Sequence, residues 1–190
     1  MNKKVIMIIL LITVICLFLI TTTIAFITRS TTANNIITFG SIKMQIIQTT
    51  LDSNNEEKDV DNNEILNIIH NPTISRIVKV KNLGKHDFFV RISLDMIAFN
   101  PNNEEYKVND CLSYNFNTED WIYEDGWYYY KKIVKQGEIT NNLITQINFD
   151  VNKITKEHTR GNFKFNIKAE AVQAKNNAQN VLEVVGWPSN

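Results

Sequence analysis

Apolar and polar residues alternate along most of this chain, in short stretches with the two-residue period of a strand that buries one face. The clearest stretch sets Phe163, Phe165, Ile167, Ala169 and Ala171 against Lys164, Asn166, Lys168, Glu170 and Val172. The small residues at its end predict a close approach to another element. Phe88, Val90, Ile92, Leu94 and Met96 alternate in the same way with Phe89, Arg91, Ser93 and Asp95. Before them, Ile74, Arg76, Val78 and Val80 oppose Ser75, Ile77, Lys79 and Lys81, and Asn82-Leu83-Gly84 supplies a turn between the two stretches. A hairpin is the expected result. Trp121 to Tyr130 predicts a second hairpin, turning at Asp125-Gly126. Ile36 to Thr50 predicts a strand or a pair of strands, with Ile42, Met44 and Ile46 alternating with Lys43, Gln45 and Ile47. Ile147 to Val151 predicts another strand, Asn176 to Val185 a short helix, and Trp187 a side chain tucked against the domain.

About seven to nine strands with short turns, long polar loops and little helix predict an all-β fold. The expected form is an antiparallel β-sandwich, by analogy a jelly roll, with short helical insertions. The strand at Trp127 to Tyr130 is aromatic on both faces: Trp127 and Tyr129 on one, Tyr128 and Tyr130 on the other. One face enters the core. The other lies under a loop, meets a partner, or faces water as a row that stacks on sugar rings.

The N-terminus breaks the alternation. Val5 to Thr28 carries no charge over 24 residues, roughly 36 Å as a helix. Lys3 and Lys4 keep the preceding end on the cytoplasmic side. The run is longer than a usual export signal and long enough to stay as an anchor. It also weakens at Thr21-Thr22-Thr23 and offers small residues, Thr23 and Ala25, ahead of a possible cut between Ala25 and Phe26. The residues leave both readings open. Residues 1–25 read as a signal peptide, or as an uncleaved anchor to 28, and residues 26–190 as one domain.

Charge excludes one class of partner. The chain has 20 basic and 20 acidic side chains, without the basic stripe that a nucleic-acid binder shows. Cys16 lies inside the apolar run and Cys111 is alone in the remainder, so removal of the run leaves no internal disulfide. Cys111 reads as a small buried hydrophobe.

Catalytic and metal chemistry find no motif. Asp59-x-Asp61-x-Asn63 resembles the start of an EF-hand loop, but Glu64 stands where glycine is needed and His70 where the bidentate glutamate belongs. His70, His86 and His158 are far apart. No nucleophile elbow, phosphate loop or dinucleotide fingerprint occurs. No cofactor is expected, and no enzymatic activity.

Several segments together resemble a known family. Thr23-Ile24-Ala25-Phe26-Ile27-Thr28 resembles the signal end of bacterial SipW-dependent exported proteins. Asn35 to Lys43, with Phe39-Gly40-Ser41-Ile42, looks like their first mature strand. Val78-Lys79-Val80-Lys81-Asn82-Leu83-Gly84 followed by Phe89-Val90-Arg91-Ile92 resembles their V-x-N-x-G…Y-V-R-V hairpin. Asp120-Trp121-Ile122-Tyr123 with Asp125-Gly126-Trp127-Tyr128-Tyr129-Tyr130-Lys131-Lys132 resembles D-W…G-Y-Y-Y-Y-K. Lys168-Ala169-Glu170-Ala171-Val172-Gln173-Ala174 resembles the closing K-A-E-A-x-Q-A strand, and Trp187 the terminal tryptophan. The family is that of TasA, camelysin and the BsaA-type biofilm matrix proteins. The segments span nearly the whole chain in the right order. The signal lacks the usual glycines near its end, and Arg29 stands where an acidic residue is common.

The resemblance implies a secreted or cell-surface jelly-roll protein that builds biofilm matrix fibres or pilin-like polymers. A dedicated signal peptidase would cut the apolar run, leaving the membrane as a partner only during export. The freed strand residues, Ile36, Ile37, Phe39, Ile42, Met44 and Ile46, would complete the sheet of the next copy in a homopolymer, or of a related matrix subunit. Two other readings compete. One is a membrane-anchored carbohydrate-binding module using Trp127, Tyr128, Tyr129 and Tyr130. The other is a secreted metalloprotease, as camelysin-like members have been described, although no zinc motif here carries that activity over.

Overall fold

The structure, a computed structural model, describes residues 36–39, 42–60, 72–99, 104–150, 152–153 and 162–188. The chain divides into two units, Met1–Asn34 and Asn35–Asn190, and the described residues all belong to the second. They contain twelve strands: β1 (Ile36–Phe39), β2 (Ile42–Leu51), β3 (Glu57–Asp59), β4 (Thr73–Ser75), β5 (Ile77–Asn82), β6 (Phe88–Phe99), β7 (Glu105–Lys107), β8 (Leu112–Tyr114), β9 (Trp121–Glu124), β10 (Trp127–Tyr130), β11 (Gln146–Phe149) and β12 (Asn162–Gln173). All pairings among them are antiparallel. The protein is all-β, in three sheets.

β2 is the centre of the first sheet. β1 and β3 pair with successive parts of one edge, and β5 covers the other from Met44↔Asn82 to Thr49↔Ile77. The second sheet is ordered β4-β11-β8 and the third β12-β6-β10-β9, with β7 also on β6. Backbone bonds tie β5 and the residue before it to the segment that leads into β11. Thr140 and Leu143 donate to the carbonyls of Val80 and Val78, and Arg76 donates to Thr145.

The Asp125-Gly126 turn forms as the sequence predicts. Asp125 has φ 48° and Gly126 φ 82°, and β9 and β10 pair from Trp127↔Glu124 to Tyr130↔Trp121. Two positive φ values match the twist of a two-residue hairpin. The other expected hairpin does not form. β5 pairs with β2, whereas β6 pairs with β12, β10 and β7, so Asn82-Leu83-Gly84 leads the chain from one sheet to another. Alternation is the same whether two strands share a sheet or face each other across a core, so it could not separate the cases.

Asn82 fixes this corner. It is fully buried. Its side chain donates to the carbonyls of His86 and Val134 and accepts from the Gly84 amide at 2.9 Å. Gly84 passes so near β2 that a Cβ there would lie 3.0 Å from the Lys43 nitrogen.

No α-helix occurs among the described residues. The stretch expected as a helix contains one 3-10 turn, Val181–Glu183. Asn176 is left-handed at φ 63°. Asn177 uses both ends of its amide on the Val185 backbone, which holds the segment as a loop.

One cluster forms the main core. It takes Ile42, Met44, Ile46, Val78 and Val80 from the first sheet, Ile147 and Phe149 from the second, and Val90, Ile92, Met96, Tyr128, Tyr130, Ala169 and Ala171 from the third. A smaller cluster on the other face of the third sheet joins Phe89 and Tyr129 to Val181 and Val184. Phe89 and Tyr129 are the odd-face residues of an alternation that serves two cores.

Candidate functional site

The proposed cut between Ala25 and Phe26 lies outside the described residues, as do most of the EF-hand-like loop, His70 and His158. The predicted assembly strand is divided by the structure. Ile36, Ile37 and Phe39 are on β1, which among the described residues pairs only with the start of β2, from Ile36↔Gln45 to Phe39↔Ile42. Ile37 packs half-buried against the main core. Ile42, Met44 and Ile46 are instead fully integrated: they are buried, and their strand is flanked on both edges.

Trp127, Tyr128, Tyr129 and Tyr130 do not form an exposed row. Tyr128 and Tyr130 are in the main core, and Phe116 and Tyr123 stack on Tyr128 at 5.2 and 4.8 Å. Burial pushes the Tyr128 phenol up to about 12, with the neighbouring Tyr123 adding to it. Tyr129 is buried and Trp127 half-buried under the C-terminal segment. The sugar-stacking reading needed the face that this segment covers.

That covered face holds a cluster of charged and aromatic side chains. The Arg91 guanidinium donates from Nε and Nη2 to one oxygen of Glu170, at 2.8 and 2.6 Å, and from Nη1 to the Tyr129 hydroxyl at 3.2 Å. Its Cζ lies 4.2 Å from the Trp127 ring centre and 4.8 Å from that of Trp187. Tyr129 meets Trp187 edge-on at 5.7 Å. Lys168 holds the other Glu170 oxygen at 3.0 Å and approaches the Trp127 ring. A guanidinium suits this place because its plane stacks on indoles while its edge binds a carboxylate. The result is a clasp that fastens the C-terminal segment to the sheet.

Register explains the convergence. Arg91 lies opposite Glu170 in the β6–β12 ladder and opposite Tyr129 in the β6–β10 ladder. Glu170 is the only acidic residue within β12. Its place between Ala169 and Ala171 was the one signal in the sequence for a buried, partnered charge.

A second polar centre sits below β9. Asp120 is buried. One oxygen takes Lys132 at 2.6 Å, and the other takes the Asn141 amide at 2.6 Å and the Asn117 amide at 3.1 Å. The Lys132 bond, then the Asn141 bond, hold its carboxyl below the ordinary aspartate value. Asn141 also receives the Trp121 indole on its carbonyl. Each acceptor is satisfied within the chain, which marks a structural tie between β9 and the 131–142 loop.

Cys111 is buried, its thiol 3.5 Å from the Lys153 carbonyl. Burial raises the Tyr114 phenol, and its hydroxyl has no hydrogen-bond partner. Among the described residues no three His, Cys, Asp or Glu side chains are grouped as metal ligands would be, and no helix is long and apolar enough to cross a membrane. No protein-family model matches the chain, and neither does any curated protein or solved structure.

Proposed function

We propose that this chain is an exported structural protein of the TasA and camelysin type, a jelly-roll sandwich that assembles outside the cell into matrix fibres or pilin-like polymers by donating its N-terminal strand. The observation that carries this reading is the position of β1. It is the first described strand, it stands at a sheet edge, and four residue pairs with its own β2 hold it there. Taking it away exposes the backbone of Ile42 to Gln45, which the same segment of another copy can cover. Donation from copy to copy does not close on itself and gives filaments. The donated part ends at Phe39, because Ile42, Met44 and Ile46 remain in the donor's own core.

The segments that carry the family resemblance support the same reading. Arg91, Trp127, Tyr129, Glu170 and Trp187 come from four of those segments and meet in the clasp. In this reading the role is structural and non-catalytic. Residues 1–25 direct export and are removed by a dedicated signal peptidase, so the mature protein is extracellular.

Deletion of Phe26 to Phe39 tests the proposal. A folded, soluble protein that no longer enters high-molecular-weight species is expected. Fibres formed by the deleted protein would overturn strand donation. N-terminal sequencing of the exported protein is expected to begin at Phe26; a chain that still begins at Met1 would overturn processing and make it membrane-anchored.

A further inference from the structure

β12 ends its sheet, and no described residue pairs with its outer edge. It has 12 residues, whereas the edge strands β1, β3, β7, β8 and β9 have three or four. Its pairing with β6 runs from Asn162↔Phe99 to Gln173↔Phe88 without a slip. It contains neither proline nor bulge, two of the devices that blunt an edge of this length.

The direction of its backbone groups follows from the next residue. Ala174 donates to the Asp87 carbonyl and continues the β6 register. Even-numbered residues of β12 therefore turn their peptide groups toward β6, and odd-numbered ones turn theirs outward. The outward set is Phe163, Phe165, Ile167, Ala169, Ala171 and Gln173. Phe165 and Ile167 are only half-buried, although both pack against the main core.

We infer that the outer edge of β12 is a docking surface for β12 of a second copy, the two strands running antiparallel about a two-fold axis at Ile167. The inference rests on this edge and not on strand donation. With Ile167 opposite itself, outward-facing residues meet outward-facing residues, so donors find acceptors along the strand. Phe163 then lies opposite Ala171, and Phe165 opposite Ala169, on each side of the axis. Large side chains meet small ones across the pair. On the other face Lys168 meets Asn166, and Lys164 meets the strand position of Glu170, whose carboxylate Arg91 and Lys168 already hold.

Neighbouring registers are worse. Sliding by two residues, the smallest step that keeps donors facing acceptors, sets Lys164 against Lys168 in one direction and Lys168 against itself in the other. Exposed lysines at positions 164 and 168 discourage foreign strands, and in the two-fold register they also select the partner. Such a contact closes after two copies. On a fibre it would join neighbours side by side, through a strand other than β1.

The test uses the exported chain. Its smallest species in solution, separated from fibres by size and weighed by light scattering, is expected to have the mass of a dimer at high concentration. Ile167→Cys is expected to give a disulfide-linked dimer under mild oxidation, while Tyr123→Cys, exposed on β9, and the parent give none. Asn166→Lys places a lysine opposite Lys168 twice and is expected to weaken the dimer about tenfold with unchanged thermal unfolding. The Phe26 to Phe39 deletion is expected to keep the dimer while losing fibres. A parent that is monomeric at its highest soluble concentration, or equal cross-linking at positions 167 and 123, would overturn the inference. So would loss of the dimer on deleting Phe26 to Phe39.

Discussion

Arg91 and Glu170 lie opposite each other on adjacent strands, and both Nε and Nη2 of the arginine reach the same carboxylate oxygen. Side-chain exposure is 14% for Arg91 and 6% for Glu170. Removing one member of so enclosed a pair strands the other without its partner. Arg91→Ala is expected to destabilise the protein by about 3 kcal/mol, measured by urea unfolding. Glu170→Gln keeps an acceptor and is expected to cost less. Arg91→Lys keeps the charge but loses the planar stacking on Trp127 and Trp187, and falls nearer to the alanine variant.

Trp187 is the far side of the clasp. Trp187→Ala removes the ring that meets Arg91 and Tyr129. The C-terminal segment is expected to open locally while the main core stays folded. Limited proteolysis then reports new cleavage between Lys175 and Val185, with the remainder of the chain resistant. Cleavage spread evenly over the chain would show that the segment and the core unfold together.

Gly84 and Gly137 separate two reasons for a glycine. Gly84 has no positive φ, but an added Cβ would press on the Lys43 backbone at 3.0 Å. Gly84→Ala forces β2 or the corner to shift and is expected to cost about 1–3 kcal/mol. Gly137 has φ 79° and open space around it, so Gly137→Ala meets conformational strain alone, about 1 kcal/mol. Unfolding midpoints of the two variants give the order.

Asp120 makes stability fall in acid. Its folded carboxyl titrates below the unfolded one because Lys132 and Asn141 bond to the charged form. The contribution is therefore complete above the unfolded value, near 4, and is lost as pH falls through the lowered folded value. Glu57, held down by Lys79 and Thr49, acts in the same direction. Lys132 is raised by Asp120, so its share persists until pH rises beyond the ordinary lysine range. Thermal unfolding from pH 6 to pH 3 is expected to drop more steeply for the parent than for Asp120→Asn.

Alternation placed the long strands because each buries one continuous face. β6 and β12 were legible for that reason, as was the Asp125-Gly126 hairpin, where the turn residues carry their own backbone preference. The arch after β5 was not legible, since it depends on Asn82 finding Val134, 52 residues away. The clasp was hidden for the same reason: Arg91 and Glu170 are 79 residues apart, and only the ladder brings them together. The stretch from Asn176 has a helical composition, but its asparagines take the backbone bonds that a helix needs. The second aromatic face of β10 and a docked Trp187 were both visible in sequence, but not that one covers the other.

The β6–β12 ladder also sets a timetable. β6 is in the middle of the third sheet, and its only full-length neighbour is β12, with Phe88 waiting for Gln173. Until the chain is nearly all available, β6 has only short β7 and β10 beside it, along one edge. Contacts this distant in sequence form slowly. The last thirty residues therefore act as the key that completes the domain, and a chain halted before them carries a half-built sheet with an unfilled place beside β6.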